Sequence, residues 1–482
     1  MAGPVPAIHA LDRAWKTWMP ATSAGMTKPA RYAPRRAIVG WVLFDWAQQP
    51  YFTLITTFVY APYFASALAP DPARGQALWG FAAAGAGLAI ALFSPVLGAI
   101  ADAAGRRKPW IAAFGAVYVA GATVLWFGRP GDPSAVALVL IAYAVLAIGA
   151  EFTGVFNNAM MPSLVPPERL GRLSGTGWAV GYVGGLVSLV IVLGFLAASP
   201  HSGKTLLGIT PLFGLDPTLR EGDRAVGPLS AIWFIVFLLP LFWFTPDQER
   251  ARPLGEAVSH GLATIAGTLR RLPGQRNIAA FLLANMIYAD GLVGMFAFGG
   301  IYAAGTFGWG TIQIGMFGIL LTITGALGAW LGGKLDDRLG PKPVIIGSLL
   351  MLILAALAIL STGRDHILFW LAVTPPVPGA IYSGAAEKFF VVIGLFIGLV
   401  AGPLQAASRT LLIRLAPPGQ ITEFFGLFAL SGKVTSFMAP FLVGVVTAAT
   451  ASQRAGMAVL VAFFSVGALA VSRVNAGSGV SR

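Results

Sequence analysis

The sequence predicts an all-α membrane protein with twelve transmembrane helices. Apolar residues make up 56% of the chain and charged residues only 11%, whereas soluble domains carry roughly 25% charge. Twelve apolar runs are close to or above the about 20 residues that a helix needs to cross the hydrocarbon core. Backbone amides find no water in lipid and must pair within the segment, so such runs form helices. The runs lack the alternating hydrophobicity of the strands in an outer-membrane β-barrel.

We expect the helices to follow one another along the chain with short loops between them. Their predicted positions are 38–66, 77–101, 109–127, 134–160, 173–198, 228–245, 277–305, 311–333, 343–361, 387–412, 421–447 and 455–473. The first six form one half (38–245) and the last six form the second (277–473). A cytoplasmic linker (246–276) joins the halves and contains an interfacial amphipathic helix. The apolar face of that helix is Leu254, Val258, Leu262, Ile265 and Leu269.

The two ends of the chain are not part of this helical pattern. The leader (1–37) is expected to be a disordered cytoplasmic segment, because its first part lacks hydrophobic periodicity. A short cytoplasmic tail (474–482) follows the last helix. No cleavable signal peptide is expected, since the first long apolar run has full spanning length.

The net charge of +13 reports the orientation of the chain and not a nucleic-acid site. The basic residues lie between the hydrophobic runs and form no continuous face. With the N-terminus inside, the cytoplasmic segments hold about twice as many Lys and Arg residues as the opposite side, and the positive-inside rule then predicts both termini in the cytoplasm. We expect a multi-pass monomer of the bacterial inner membrane whose partners are the lipid bilayer, a small solute and protons, with no nucleic acid.

The residue inventory argues against an enzyme, a metal site and a cofactor. The chain contains no cysteine, which excludes disulfides and thiolate ligands. All four histidines lie outside the predicted helices, so a histidine proton relay inside the membrane is excluded as well. A phosphate-binding loop of the form GxxxxGK[ST] is absent from the sequence, and ATP is therefore not the expected energy source.

One loop motif occurs twice, once in each half. GAIADAAGRRKP begins at Gly98 after the second predicted helix, and GKLDDRLGPKP begins at Gly333 after the eighth. The two copies are six helices apart, which indicates two six-helix halves with a site between them near the midplane. The aligned positions are Gly98 with Gly333, Asp102 with Asp337, and Gly105 with Gly340, followed in the first copy by Arg106.

The shared frame G-x-x-x-D-x-x-G-[RK] resembles the signature of the major facilitator superfamily, and the resemblance covers residues 38–473. Four further stretches resemble the vacuole effluxer branch of that superfamily and its bacterial relatives. They are WVLFDWAQQPY from Trp41, FNNAMMPSLVPPERLGRLSGTGWAVGYVGG from Phe156, QAASRTLLIRLAPPG from Gln405 and EFFGLFALSGK from Glu423. The resemblance implies a secondary transporter. It favours amino acids as solutes, because eukaryotic members of the branch are associated with amino-acid efflux from the vacuole.

The two repeated loops are candidate gating elements. Asp102 lies beside a helix end and near arginines, where a carboxylate can accept charge-assisted hydrogen bonds. If Asp102 pairs across the two halves only while the cytoplasmic side is closed, the loop is a latch. The alternative is a tight turn with a helix cap and an exposed ion pair. The second loop departs from the frame, since Pro341 and Pro343 flank its late basic residue Lys342.

The candidates for a solute or proton site are ionisable residues inside the predicted helices. A charge there costs a few kcal/mol and needs a partner, water or a proton. The candidates are Asp45, Glu151, Asp290, Arg409 and Lys433. In the superfamily that the chain resembles, helices 1, 4, 7 and 10 line the central cavity, and these helices carry the first four candidates. A cavity with both signs of charge suits a zwitterion, because Arg409 can bind a carboxylate while an acid faces an amine.

Polar and aromatic neighbours extend these faces at helical spacing. They are Gln48 and Gln49 beside Asp45, Asn158 beside Glu151, and Gln405 beside Arg409. In the fifth helix, Trp178 and Tyr182 either contact a solute amine or pack against a neighbouring helix. Glu151 and Asp45 are the leading candidates for proton coupling, because a buried carboxyl can load and release a proton near neutral pH.

Other interpretations stay open at this stage. Asp45 beside Trp46 could anchor the helix near the headgroups, and Arg409 could extend to the cytoplasmic surface. Asp290 and Lys433 could form a static ion pair. At the level of function, a proton-coupled sugar carrier or a drug exporter of the same fold is the alternative within transport. A membrane sensor or an embedded enzyme is the alternative outside it, and a channel fits least, since repeated halves with loop latches imply alternating access.

Overall fold

The computed structural model describes residues 32–199, 202–309, 311–375 and 381–475. The expectation of a disordered leader falls almost entirely on residues 1–31, which lie outside the described residues, as do residues 476–482 of the predicted tail. Twelve helices of the described chain are long and apolar enough to span a membrane, which confirms the predicted number. We number them spans 1 to 12 in chain order. They are Arg35–Leu68, Arg74–Ala104, Lys108–Phe127, Pro133–Leu164, Pro167–Leu196, Glu221–Phe244, Arg276–Phe307, Gln313–Leu339, Pro341–Leu360, Ala385–Leu415, Ile421–Thr450 and Gln453–Ser472.

Several spans begin at polar caps that the local sequence supplies. The carboxylate of Asp71 accepts the backbone N–H of Arg74 at the start of span 2. Asp132 accepts the N–H of Ser134 at the start of span 4, and Ser452 caps span 12 in the same way. Each cap satisfies an amide of the first turn that has no partner within the helix.

Spans 1 and 11 are the spans whose departures from a continuous α-helix matter most for the site. The segments of span 1 are Arg35–Pro50 (α), Tyr51–Phe58 (π), Tyr60–Tyr63 (α) and Phe64–Leu68 (π). Span 11 consists of the helices Ile421–Lys433 and Met438–Thr450, joined by a turn at residues 434–437. Pro440 lies in the first turn of the second helix, where its missing N–H costs nothing and its ring prevents the first helix from continuing. Span 11 can therefore change direction in the middle of the bundle.

The spans build two hydrophobic cores. One core draws its buried side chains from spans 1 to 6 and the other almost entirely from spans 7 to 12. The two groups meet where span 5 packs against span 8 and where the first segment of span 11 packs along span 2. Span 5 also packs closely on span 1 through its glycines, with Gly177 against Asp45 and Gly185 against Thr53, as small residues at four-residue spacing allow.

The packing is tight at the end of the bundle that carries the two repeated loops. A Cβ added at Gly98 would lie 2.5 Å from the carbonyl oxygen of Thr422 on span 11. Toward the other end, the second segment of span 11 packs against spans 7 and 12 instead of span 2. A Cβ added at Gly80 or Gly87 of span 2 would meet no heavy atom of the described chain within 4 Å. The bundle is thus closed at the loop-bearing end, and spans 2 and 11 diverge away from it.

The connections between the spans are short apart from three, which are residues 197–220, the linker at 245–275 and residues 361–384. The linker contains the helix Leu254–Arg271, which lies on span 2 with Gly261 against Ile100. Of the apolar face that the sequence predicts for this helix, Ile265 is buried. The rest of that face is exposed, namely Leu254, Val258, Leu262 and Leu269. Between spans 9 and 10, His366–Ile367 and Leu371–Ala372 pair as a two-stranded antiparallel hairpin.

Candidate functional site

A cavity of about 360 Å³ lies between the two groups of spans. Side chains of spans 1, 4, 5, 7, 10 and 11 line it. Its size falls within the range that small-molecule sites occupy, about 300–1,000 Å³. Nine of the eleven residues predicted for the solute or proton site line it: Asp45, Gln48, Gln49, Glu151, Asn158, Trp178, Gln405, Arg409 and Lys433. Tyr182 and Asp290 do not.

The first charged contact of the cavity joins Asp45 on span 1 to Arg409 on span 10. The distance from Arg409 Nη2 to Asp45 Oδ2 is 3.5 Å. The guanidinium also donates to the Ser174 hydroxyl and carbonyl, at 3.1 and 2.9 Å, and to Asn158 Oδ1 at 2.9 Å. Its side chain is only 6% exposed. Arg409 is therefore held inside the bundle and does not extend to the surface, and Asp45 is its counter-ion.

Aromatic rings border the same guanidinium. Its carbon lies 5.3 Å from the ring centre of Trp178 and 5.9 Å from that of Trp41, within the distance of a cation–π contact. Trp178 thus packs on a protein cation and also faces the cavity. Tyr182, one turn further along span 5, lies outside the lining, and its hydroxyl accepts from Gln405 Nε2 at 3.4 Å.

The second charged contact joins Glu151 on span 4 to Lys433 on span 11. Lys433 Nζ lies 3.1 Å from Glu151 Oε2, and the two side chains are 36% and 25% exposed. Lys433 sits at the end of the first segment of span 11, directly before the turn. The static ion pair between Asp290 and Lys433 that the sequence left open is not formed. Both charged contacts of the cavity therefore connect the first six spans to the last six.

Asp290 is the ionisable candidate that the structure places elsewhere. Its side chain is buried and absent from the cavity lining. Span 7 lines the cavity through Asn285, Tyr288 and Leu292 instead. Val293, about one turn after Asp290, also lines the cavity, so the helical period alone does not separate Asp290 from it. Asp290 is kept out of the lining because its side chain is buried in the packing of span 7.

Three further polar residues line the cavity: Ser408 belongs to the predicted polar face of span 10, and Asn285 and Tyr288 are not predicted from the sequence. Asn285 Nδ2 donates to the Ser431 hydroxyl at 3.0 Å. The Tyr288 hydroxyl lies 2.7 Å from the hydroxyl of Ser408, which donates to a carbonyl of its own helix. The signal for Ser408 is its position directly beside Arg409 on the predicted polar face. Asn285 and Tyr288 could have been found from their shared face at i and i+3.

The first repeated loop joins span 2 to the start of span 11. Asp102 Oδ1 accepts the Thr422 hydroxyl at 2.7 Å, and Asp102 Oδ2 accepts the backbone N–H of Glu423 at 2.8 Å. Its ionic partner is Arg107, at 2.5 Å, and not Arg106, which is exposed. Burial lowers the pKa of Arg107, while the nearby carboxylates Asp102 and Asp247 raise it. Gly105 ends the helix with a φ of +90° and lies against the backbone of the linker.

The second repeated loop makes the equivalent contact in the other direction. Asp337 on span 8 accepts the backbone N–H of Arg172 at 3.0 Å and lies 3.3 Å from its Nε. Arg172 is in the first turns of span 5. Gly333 packs on Gly171 and Gly340 has a φ of +87°. Each repeated aspartate therefore caps a helix of the opposite half.

Asp336 adds a contact within the second half that the sequence did not single out. Its carboxylate is buried and accepts the hydroxyl of Thr410 on span 10. Arg414 of the same span lies 3.9 Å away. The adjacent Asp336 and Asp337 thus contact different partners. The sequence alone does not show which of the two aspartates contacts the other half. Among the described residues, clusters of His, Cys, Asp or Glu that could hold a metal ion are absent.

Comparisons with known proteins identify the relatives of this chain. A family model described as "Vacuole effluxer Atg22 like" matches residues 84–481. The MFS-type transporter YxiO of Bacillus subtilis is 25% identical over 89% of this chain and 92% of its own length. Autophagy-related protein 22 of Saccharomyces cerevisiae is 22% identical over 71% of this chain and 69% of its own length.

Solved structures of similar fold are transporters of the major facilitator superfamily. FucP in the outward conformation has a TM-score of 0.65 and 16% identity, and the match covers 91% of this chain and 97% of FucP. The human organic anion transporter MFSD10 has a TM-score of 0.63 and 15% identity, covering 91% of this chain and 99% of that chain. At these identities the likeness shows the fold alone.

Proposed function

Because the chain belongs to the family of Atg22-like vacuole effluxers, we propose that it moves a small zwitterionic metabolite across a bacterial inner membrane by alternating access, driven by protons. An amino acid is the favoured solute. The observation that carries the proposal is the presence of two ion pairs in the cavity, Asp45–Arg409 and Glu151–Lys433. Each pair connects one half to the other. A solute that replaces one partner therefore acts on both halves at once.

A zwitterion matches the charges of the cavity group by group. Arg409 is already oriented by Ser174 and Asn158, and its contact with Asp45 is long, at 3.5 Å. A solute carboxylate at Arg409 would make the shorter, charge-assisted hydrogen bonds that a guanidinium favours. The solute amine would then bind the Asp45 carboxylate that Arg409 has released, or it would displace Lys433 from Glu151. The net charge of the site stays unchanged, which avoids the cost of an uncompensated charge in the membrane.

A neutral solute has no equivalent way to act on these pairs. A sugar would hydrogen-bond to the amides and hydroxyls of the cavity, such as Gln48, Gln49 and Asn285, but it would leave both ion pairs intact. Binding of a sugar would therefore not change the two ion pairs that join the halves. For this reason we favour a zwitterion over a sugar, and a sugar carrier is an outcome of the test below.

The repeated loops supply the conformational step. Asp102 and Asp337 hold the loop-bearing end closed, because each binds the start of a helix in the opposite half. Opening this end requires that both caps break. The free amides and carboxylates then gain water, so the net cost of opening is modest, since a hydrogen bond to a charged group is worth only about 1.5–3 kcal/mol net. Such a latch is able to open in each transport cycle.

Glu151 is the residue that we assign to proton coupling. Its ion pair is the more exposed of the two, so a proton from the cavity water can reach it when the solute displaces Lys433. Glu151→Gln keeps the shape but cannot take up a proton. We expect proteoliposomes with Glu151→Gln to retain solute binding and exchange but to lose the acceleration by a pH gradient. Gradient-dependent uptake at the parent rate would remove Glu151 from the mechanism.

The function is tested by a solute panel on the purified protein. Thermal-shift measurements with amino acids, dipeptides, sugars and nucleosides identify what binds, and uptake into proteoliposomes shows what is moved. We expect saturable uptake of one or more zwitterions that is lost in Arg409→Gln and kept in the control Arg364→Gln, an exposed arginine outside the cavity. Uptake of a neutral sugar that survives Arg409→Gln would contradict the proposal.

A further inference from the structure

Asp290 is a buried carboxyl with no assigned task. It lies on span 7 with 1% of its surface exposed, and it does not line the cavity. Its Oδ1 atom has no hydrogen-bond partner among the described residues. The neighbouring glycines Gly291 and Gly294 pack against Phe464 and Leu460 of span 12. The part of span 7 beside Asp290 therefore packs on apolar side chains.

Asp290 lies at the level of the turn of span 11. Asn285 of span 7 donates to the Ser431 hydroxyl just before the turn, and Gly294 of span 7 lies against the second segment just after it. Asp290 falls between these two contacts, beside residues 434–437, where the two segments of span 11 meet. Within the turn, Thr435 Oγ1 is a second buried polar atom without a hydrogen-bond partner in the described structure.

The charged side chains of the packed elements leave Asp290 without a counter-ion. Span 7 packs against spans 8, 10, 11 and 12. Arg409 of span 10 is paired with Asp45, and Lys433 of span 11 with Glu151. The remaining charged residues of these four spans lie toward the helix ends; they are Lys334, Asp336, Asp337, Arg338, Glu387, Lys388, Arg414, Glu423 and Arg454. A carboxylate buried in this position carries an uncompensated charge, which is costly, whereas a protonated carboxyl does not.

We propose that Asp290 is a proton-binding site outside the solute cavity that controls the bend of span 11. In the conformation described here, with the loop-bearing end closed, Asp290 is protonated. Loss of the proton places a charge against the turn and destabilises this conformation. Span 11 then moves until the carboxylate reaches water or a donor. Low pH favours the present conformation, and raising the pH shifts the protein away from it.

This site differs in task from Glu151. Glu151 takes up and releases its proton while the solute is bound in the cavity. Asp290 instead sets the equilibrium between conformations, whether or not solute is bound. The inference rests on the alternating access of the proposed function but not on the identity of the solute. The two assignments therefore fail separately.

The absence of cysteine from the chain makes the test direct. Phe81→Cys on span 2 and Val445→Cys on the second segment of span 11 place spin labels at exposed positions near the diverging ends. Pulsed electron resonance in lipid nanodiscs, without solute, then measures the distance between these ends as a function of pH. We expect the long-distance population to fall and a shorter one to grow as the pH is raised.

Matched variants assign the transition to one residue. Asp290→Asn should lose the pH-dependent shift and keep the long distance at every pH, while Asp290→Glu should keep the transition with a displaced midpoint. Asp365→Asn, at an exposed carboxyl of the connection between spans 9 and 10, should retain the parent curve. The proposal is overturned if the parent shows no shift, if Asp290→Asn titrates like the parent, or if Asp365→Asn abolishes the transition. Should Asp290→Asn fail to fold, an undisplaced midpoint in Asp290→Glu overturns it.

Discussion

Arg409 explains how the interior of the bundle can hold a cation. A guanidinium has five N–H donors and cannot lose its charge in a protein, so burial requires many partners. Ser174 supplies two oxygens and Asn158 one, and Asp45 balances the charge. The partners from span 4 and span 5 leave the side facing Asp45 as the weakest contact. A solute carboxylate can compete at that position without dismantling the rest of the network.

The pairing of Asp45 with Arg409 predicts that the stability losses of the two single variants are not additive in a double-mutant cycle. Removing one member of a buried ion pair costs about 3–5 kcal/mol, because the other charge is left uncompensated. Asp45→Asn and Arg409→Gln should each lower the unfolding temperature in detergent, and the double variant should recover most of that loss. Solute binding should remain absent in the double variant. Full additivity of the two stability losses would show that the residues are not coupled.

At the residue scale, the sequence predicts which ionisable residues matter more easily than where their side chains point. Four of the five ionisable candidates line the cavity, because a charge in an apolar run needs a functional or structural reason. Its helix number groups Asp290 with them, but its side chain is buried in the packing and does not line the cavity. Arg106 was named for the first loop where Arg107 makes the contact. Adjacent basic residues at a helix end differ only in direction, which composition does not encode.

At the element scale, each repeated loop supplies an aspartate that caps a helix of the other half. Asp102 binds the first turn of span 11, and Asp337 binds the first turns of span 5. A carboxylate at a helix N-terminus is stabilised by the unpaired amides and by the helix dipole. Because the cap and its helix belong to different halves, the cap exists only while this end is closed.

Neutralising Asp102 tests the cap as a latch. Asp102→Asn keeps one acceptor but loses the ionic contact with Arg107 and weakens the hydrogen bond to the Glu423 amide. The loss of a hydrogen bond to a charged group is worth about 1.5–3 kcal/mol. We expect transport to slow by about tenfold or more, while the dissociation constant of the solute changes less than about threefold. An equally large loss of binding in a calorimetric titration would assign Asp102 to the solute site instead.

Gly98 tests the same closure by shape and not by charge. A Cβ at this position would lie 2.5 Å from the Thr422 carbonyl oxygen, so Gly98→Ala must push spans 2 and 11 apart. Overpacking costs about 1–3 kcal/mol, which should reduce closure of this end and slow uptake. The matched control is Gly87→Ala on the same span, where an added Cβ meets nothing within 4 Å in the described structure. Equal uptake by the two variants would contradict the closed packing.

At the element scale, hydropathy predicted which segments span the membrane but not where they bend. The number and order of the spans followed from apolar runs of spanning length. The run 421–447 is apolar on average, which hides the turn in span 11, although Lys433, Thr435 and Ser436 interrupt the run there. Pro440 was the available signal, since a helix rarely continues through the residues just before a proline. Span 1 offers the same kind of signal, because its two π-helical segments come directly after Pro50 and shortly after Pro62.

The whole molecule combines a closed end, a central cavity and two ion pairs that cross between the halves. The cavity holds two acidic and two basic side chains, Asp45, Glu151, Arg409 and Lys433, so its net charge is zero without a solute. A zwitterion keeps that balance, while a singly charged solute adds one uncompensated charge. In the absence of solute, each acidic side chain of the cavity is neutralised by its basic partner. Charge balance, more than size, is therefore the feature that selects the solute in this account.

The most direct test of that selection compares three forms of one solute. Take the amino acid that gives the strongest uptake in proteoliposomes, its amide, which lacks the carboxylate, and its deaminated acid, which lacks the amine. The account predicts that each truncated form loses about tenfold or more in affinity, the effect of one charge-assisted contact. It also predicts that Arg409→Gln removes the advantage of the amino acid over its amide. Equal affinities for the amino acid and its amide, unchanged by Arg409→Gln, would contradict the claim that the ion pairs of the cavity recognise the solute.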